Sequence, residues 1–196
     1  MDLRFLGINE DFLKSLRRLR DLSITYGAYP IDEEDGILLY VITYILNMMK
    51  GCINVIEIGT GCGYSTTWIA KALNDSKGCG YVITFEVDDR RANIALSNLK
   101  DLGLSKYVGV RIENALKGLE YLDIIPDMAF FDADIENYVK YIEILKNKID
   151  EFFVLTAHNA FWLVNESFTE YLTLQGFKFT ILPTPQGFLL AYLRVS

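Results

Sequence analysis

The sequence predicts an α/β protein: a Rossmann-like, doubly wound and mostly parallel seven-stranded sheet with a C-terminal antiparallel hairpin, preceded by N-terminal helices. Three observations carry this. Val55-Ile56-Glu57-Ile58 is a largely β-branched run that stops at alternating glycines, Gly59, Gly61 and Gly63, and gives way to helical spacing over Tyr64 to Leu73. Four further short apolar runs, separated by segments with helical spacing, repeat the strand-helix alternation of a parallel sheet. The last two runs, Phe177 to Leu182 and Phe188 to Arg194, are joined by Pro183-Thr-Pro-Gln-Gly187 and read as two strands of a hairpin.

At 196 residues the chain is expected to be a single domain, 1–196, with a helical cap over 1–50 and a cofactor-binding core over 51–196. Hydrophobic residues make up 51% without an apolar run long enough to span a bilayer, and the start Met1-Asp-Leu-Arg-Phe5 lacks a signal-peptide core, which predicts a cytoplasmic protein with no membrane contact. A net charge of -7 disfavours broad nucleic-acid binding, because phosphate contacts depend on clustered Lys and Arg. Cys52, Cys62 and Cys79 form neither a C-x-x-C pair nor an even set, so they are expected to be free thiols in a reducing compartment.

In chain order, Phe12, Leu13, Leu16, Leu19 and Leu22 fall close to one face of an amphipathic helix over residues 10–22, with Lys14, Arg17, Arg18 and Arg20 around it. The basic side is either a solvated face or else a cap over a substrate or a subunit contact, and with the aromatic tail it points to a homodimer as one arrangement. Tyr26-Gly-Ala-Tyr-Pro-Ile31 reads as a turn, in which Tyr26 and Tyr29 are candidates for acceptor contacts as well as for ordinary packing. Asp32 suits the N-cap of a helix over Glu33 to Met49, whose first-turn acids complement its dipole.

The glycine loop is the chemical centre of the chain. Without Cβ atoms, Gly59, Gly61 and Gly63 let a ligand approach the backbone, and the helix after them directs free amides at it. The spacing is G-x-G-x-G, with Thr60 and Cys62 between the glycines and Tyr64 where a dinucleotide fingerprint needs its last glycine, which weakens a nicotinamide reading. Glu57, two residues before Gly59, favours an ammonium over a pyrophosphate, and so a cationic, phosphate-free cofactor such as S-adenosylmethionine. A structural turn with Glu57 as a plain charge is the alternative.

The second strand, Gly80 to Glu86, ends in an acid 23 positions beyond Gly63, near the spacing at which nucleotide-binding folds set a carboxylate on the ribose diol. Asp88 and Asp89 open a helix over Arg90 to Leu102. The third strand, Tyr107 to Ile112, precedes Asn114, which fits either an adenine contact or an N-cap before a helix ending at Leu122. The fourth strand, Met128 to Phe131, runs into Asp132 and Asp134 and then a helix to Lys148. Asp132 sits where open α/β sheets bind ligands, and Asp134 fits a ligand contact or a cap. The fifth strand, Glu151 to Thr156, leads to His158, the one histidine of the chain, and Asn159. Asp132, His158 and Asn159 would then converge at the sheet's carboxyl edge, either as three ligands of a divalent metal or as hydrogen-bonding groups. A last helix is expected over Phe161 to Leu174.

From residue 29 onward the chain resembles the class I S-adenosylmethionine-dependent methyltransferases, and more narrowly the catechol and caffeoyl-CoA type O-methyltransferases. The residues that carry this are Tyr29-Pro-Ile-Asp-Glu-Glu-Asp-Gly-Ile-Leu-Leu39, Val55-Ile-Glu-Ile-Gly-Thr-Gly-Cys-Gly-Tyr-Ser-Thr66, the strand end at Glu86, and Phe130-Phe-Asp-Ala-Asp-Ile-Glu-Asn-Tyr138, with a weaker match at Asn159-Ala-Phe-Trp162. The resemblance implies that Glu57, Gly59, Tyr64, Ser65, Glu86, Ala115 and Asp134 line the cofactor site and that Asp132 with residues 158 and 159 holds a divalent metal such as Mg, Mn or Zn. Two departures bear on the chemistry: the family usually has Asp-Asn where this chain has His158-Asn159, and often a lysine where it has Ile135. The implied activity is methyl transfer to an oxygen of a small hydroxylated, aromatic acceptor, with Asp132, His158 and Asn159 as catalytic residues and His158 or the metal as the source of deprotonation. The rival readings are a tRNA or protein methyltransferase and a catalytically diverged S-adenosylmethionine-binding protein.

Overall fold

The computed structural model describes residues 8–163 and 166–195. Its strands are β1 (Asn54–Ile58), β2 (Tyr81–Glu86), β3 (Val108–Ile112), β4 (Met128–Phe131), β5 (Phe152–Ala157), β6 (Lys178–Leu182) and β7 (Phe188–Arg194). They form one seven-stranded sheet in the order β3-β2-β1-β4-β5-β7-β6. β1 to β5 pair with one another in parallel, while β7 runs antiparallel to both β5 and β6. The predicted doubly wound sheet and terminal hairpin are both present.

The helices are α1 (Glu10–Thr25), α2 (Glu33–Lys50), α3 (Tyr64–Asp75), α4 (Asp89–Asp101), α5 (Ala115–Tyr121), α6 (Tyr138–Lys146), α7 (Ala160–Leu163) and α8 (Glu166–Leu174). The expected single helix from Phe161 to Leu174 is thus described as two pieces, and residues 164 and 165 lie outside the described residues, as do residues 1 to 5. None of the described helices is long and apolar enough to cross a membrane.

The two-residue period of the strands divides the core. Val55, Val82, Met128, Phe130 and Val154 face one layer, with α1, α2 and α3, whereas Ile56, Ile58, Ile83, Phe85, Ala129, Phe131 and Leu155 face the other. In the first layer the Trp68 ring is fully buried and meets Phe12 and Tyr64 edge to face. Burying an aromatic side chain of roughly 200 Å² is worth about 5 kcal/mol. Gly36 of α2 makes this packing possible, since a Cβ there would lie 2.3 Å from the indole Nε1.

Two local expectations are corrected. Asp32 precedes α2 in an extended conformation but makes no capping hydrogen bond with its side chain; its carboxylate instead accepts from Arg20 Nη2 at 3.5 Å. Cys52 and Cys79 are paired as a disulfide with their Cα atoms 4.8 Å apart, and only Cys62 remains a free, buried thiol. The register explains the pairing. Asn54 lies opposite Tyr81 on adjacent parallel strands, and each cysteine stands two residues before its member of that pair.

Candidate active site

The strand order reverses between β1 and β4, so a crevice opens at the carboxyl ends of the parallel strands, as it does wherever such a sheet switches direction. A cavity of about 550 Å³ lies there. Its floor is the loop after β1, with Gly59, Thr60, Gly61, Cys62, Tyr64 and Ser65. Glu86 of β2, Asn114 and Ala115 after β3, Asp132 and Asp134 after β4, and Asn159 after β5 supply its polar wall, while Ala28, Tyr29, Pro30 and Ile31 close it from the N-terminal side. Of the residues expected at the cofactor site, Glu57 and Gly63 are not among those lining the cavity.

Gly59 shows why this turn requires glycine. Its φ is +101°, and a Cβ built on it would fall 2.1 Å from the Asp132 carbonyl oxygen. The end of β1 therefore passes directly against the end of β4. Gly63, at φ +91°, caps α3 and packs on Ala95 of α4, where a Cβ would meet the Ala95 Cβ at 3.0 Å.

Glu86 organises the loop from the side. Its Oε2 accepts from the Gly61 amide at 2.8 Å, and its Oε1 accepts from the amides of Val87 and Asp88 at 2.9 and 3.0 Å. Glu57 works from beneath. It is fully buried on the α3 face of β1, where Ser65 Oγ donates to one oxygen at 2.6 Å and Thr66 Oγ1 to the other at 2.5 Å. Burial pushes its carboxyl up to about 7, against the opposing pull of the Ser65 and Thr66 hydrogen bonds. Asn114 takes the expected N-cap of α5, accepting from the Leu116 amide at 2.9 Å, and also lines the cavity. Asp134 accepts from the Tyr141 hydroxyl at 2.6 Å and from the Asn137 amide group.

The last cluster lies where β4 and β5 end. The His158 backbone amide donates to Phe131 O at 3.2 Å, and Asn159 turns the chain at a left-handed φ of +57°, a conformation asparagine tolerates better than most residues. Asp132 and Asn159 line the cavity, but His158 does not. The imidazole, 6% exposed, bonds through Nδ1 to Asp35 Oδ2 of α2 at 2.5 Å, and Asp35 is itself 0% exposed. Burial pulls the imidazole down, but the Asp35 hydrogen bond and the charge of Asp132 leave it above its ordinary value. Burial likewise pushes Asp132 up to about 6, with His158 pulling it back and Asp35 adding to the rise.

Of the three donors expected around one ion, Asp132 and Asn159 line the cavity, and His158, whose Nδ1 is bonded to Asp35, does not. Among the described residues no group of three His, Cys, Asp or Glu side chains is placed to hold a metal. Of the expected three, only Asp132 is a charged oxygen donor, so the set does not suit a hard divalent cation.

Asp35 had been legible only as a first-turn acid. Its signal was there, since Asp35, Leu39, Thr43 and Leu46 fall on one buried stripe of α2 and an acid on such a stripe needs a partner. Arg91 is the other residue missed: its Nε and Nη2 donate to the carbonyls of Tyr26 and Gly27 at 3.1 and 2.9 Å, fastening the loop that closes the cavity.

Comparison with known proteins finds the same fold. A curated catechol O-methyltransferase of Niastella koreensis is 36% identical over 100 residues, covering 46% of this chain and 41% of that protein. The chain spans about half the length of the curated relatives it matches, 41%, 64% and 40% for three of them. A methyltransferase of Geobacter sulfurreducens superimposes with a TM-score of 0.77 at 26% identity, over 93% of this chain and 90% of that one. An O-methyltransferase of Bacillus cereus, solved in complex with SAH, gives a TM-score of 0.79 at 24% identity, over 98% and 95% of the two chains. The family model for O-methyltransferases matches residues 8–171, from α1 into α8, and the chain belongs to that O-methyltransferase family.

Proposed function

We propose that this chain is an S-adenosylmethionine-dependent O-methyltransferase whose acceptor is a small hydroxylated, aromatic molecule. The observation that carries the reading is the cavity's wall at the switch point: a glycine loop with free space above its amides, bounded by Glu86 on one side and by Asp132 and Asp134 on the other. Glu86 would take the ribose diol, Asn114 and Ala115 the adenine edge, and Ser65 with the two aspartates the amino-acid end, where a sulfonium and an ammonium both favour negative neighbours. The Bacillus cereus protein, of the same fold, holds SAH, the product of such a reaction.

The acceptor half rests on the cavity's apolar mouth. Tyr29 is 92% exposed on the cavity wall, and Trp162, 72% exposed, follows Asn159 by three residues. Large aromatic faces left in water beside a polar cleft suit a planar ring. The basic residues of α1 are partly occupied within the chain, Arg20 by Asp32 and Lys14 by Asp11, which favours a small molecule over RNA.

In the reaction the acceptor oxygen attacks the methyl carbon as the carbon–sulfur bond breaks. The electron pair of that bond stays on sulfur and leaves S-adenosylhomocysteine neutral at that atom. The hydroxyl proton passes to the Asp132 carboxylate, which faces the cavity and, with its proton affinity raised to about 6, is a stronger base than an ordinary aspartate yet mostly ionised at neutral pH. Holding oxygen, methyl and sulfur in line supplies the larger share, about 7 to 11 kcal/mol where orientation is good.

The test is calorimetry with S-adenosylmethionine and SAH, followed by methyl transfer to catechols and to bulk tRNA at two salt concentrations. Cofactor binding with catechol turnover is expected. Absence of cofactor binding, or a salt-sensitive tRNA signal without catechol turnover, overturns the reading.

A further inference from the structure

Asp35 and His158 are 123 residues apart in sequence and in contact in the fold, at a point where neither the packing of α2 nor the end of β5 needs a charged pair. A buried carboxylate is costly unless its oxygens are bonded, and Asp35 Oδ1 has no hydrogen-bond partner. The residue is therefore retained at a cost, and what that cost secures is the His158 ring. With Nδ1 held by Asp35, the ring is fixed in orientation and tautomer, as carboxylates fix imidazoles in many sites. Its charge environment is equally specific: Asp35 and Asp132 both act on it.

The resemblance described above places an acid at position 158 and a divalent cation among residues 132, 158 and 159. Here that position is a histidine bonded through Nδ1 to Asp35 and absent from the cavity's lining, so of the three positions only Asp132, a carboxylate, and Asn159, a neutral amide, line the cavity. A hard divalent cation draws its affinity from the number and charge of its oxygen ligands, and of these three positions only Asp132 is a charged oxygen ligand.

We propose that the Asp35–His158 pair takes the place of the divalent cation in this chain: Asp35 is a positioning residue that fixes the His158 ring beside Asp132, and the site binds no divalent metal. Asp132 is then uncoordinated, with the imidazole as its polar neighbour. This inference rests on the methyltransferase reading for its role in catalysis, but not for the pair or for the absence of metal binding.

Because the chain has one histidine, labelling histidine with 15N reports on His158 alone. The full chain with SAH is titrated with magnesium and then manganese, following both ring nitrogens, and turnover of a catechol is measured with and without EDTA. The Nδ1-bound proton is expected far downfield, unmoved by magnesium and not broadened by manganese, with EDTA leaving turnover unchanged. Asp35→Asn should displace that signal and lower kcat by about 10- to 100-fold, the usual cost of losing a group that orients a site residue, while KM for S-adenosylmethionine stays within about twofold. A His158 signal that shifts with magnesium or is lost with manganese overturns the proposal, as does turnover abolished by EDTA. So does an Asp35→Asn protein with wild-type ring signals and wild-type kcat, which would leave Asp35 a packing residue. Should S-adenosylmethionine fail to bind, the functional reading falls, and the metal titration still decides the pair.

Discussion

Replacing Glu57 by glutamine should remove a pH dependence of stability that belongs to one buried carboxyl. The side chain is 0% exposed, and both of its oxygens accept hydroxyl hydrogen bonds, from Ser65 and Thr66. Glutamine keeps the shape and one acceptor, and the hydroxyl facing its amide can rotate to accept, so the neutral forms of the two proteins should be close in stability. The charged form differs. Burial raises the Glu57 carboxyl from 4.5 to about 7, and at 1.36 kcal/mol for each tenfold change in proton affinity this is about 3 kcal/mol. The sign follows from proton counting: between those values the folded protein keeps the proton and the unfolded chain has lost it, so stability falls as pH rises. Its contribution is whole below 4.5 and gone above about 7. Asp132, raised in the same way, titrates in both proteins and largely cancels in the difference. Urea unfolding followed by circular dichroism, with both proteins measured across this range, should show Glu57→Gln gaining about 3 kcal/mol on the wild type as pH rises through 7. A difference that stays flat would mean that Glu57 ionises as it would in water, and the account of its burial would be wrong.

Other substitutions test the loop and the cavity. Glu86→Gln leaves a single carbonyl for three backbone amides and should weaken S-adenosylmethionine binding by about 1 to 3 kcal/mol; a calorimetric Kd within about twofold of wild type would refute this. Gly59→Ala puts a Cβ against the Asp132 carbonyl at a φ of +101°, so a loss of more than about 3 kcal/mol in urea unfolding is expected, combining backbone strain with a contact that must move β4. A loss under about 1 kcal/mol would show that the two strand ends can part. His158→Asp sets a third carboxylate between Asp35 and Asp132 and should cost about 3 to 5 kcal/mol in metal-free buffer. Magnesium should recover part of that loss in a thermal melt while leaving the wild type unmoved, and a wild type stabilised equally would contradict the assignment.

The features that were legible in the sequence share a physical property: each is announced within a few residues. An apolar run that ends abruptly at Gly59, at Glu86 or at Asp132 marks the carboxyl end of a buried parallel strand, and the sheet order then gathers those ends around one crevice. The features that were not legible depend on register or on packing between distant segments. Cys52 and Cys79 argue against a disulfide by number and by compartment, and only the alignment of Asn54 with Tyr81 shows that they are opposite one another. The direction of Glu57 was hidden for a similar reason. Every residue of β1 after Asn54 is buried, so no alternation of polar and apolar positions tells which face carries the acid. Asp32 and Asp35, three residues apart before and within one helical turn, look equivalent as dipole acids; the first turns out to Arg20 and the second into the core.

That last contrast bears on how the fold acquires a reaction. A parallel sheet of this order delivers strand ends to a crevice but fixes only their spacing, so what happens there depends on the side chains that reach in from outside the sheet. α2 is such an element: its buried stripe of Leu39, Thr43 and Leu46 accounts for its position, and its packing would be satisfied by an apolar residue at 35. A buried aspartate with one oxygen unbonded breaks the local rule that the rest of the helix obeys. Departures of this kind persist where function compensates for them. The partner of Asp35 is one of the two residues at which the chain departs from the pattern of the enzymes it resembles, so these two exceptions, remote in sequence, are one device.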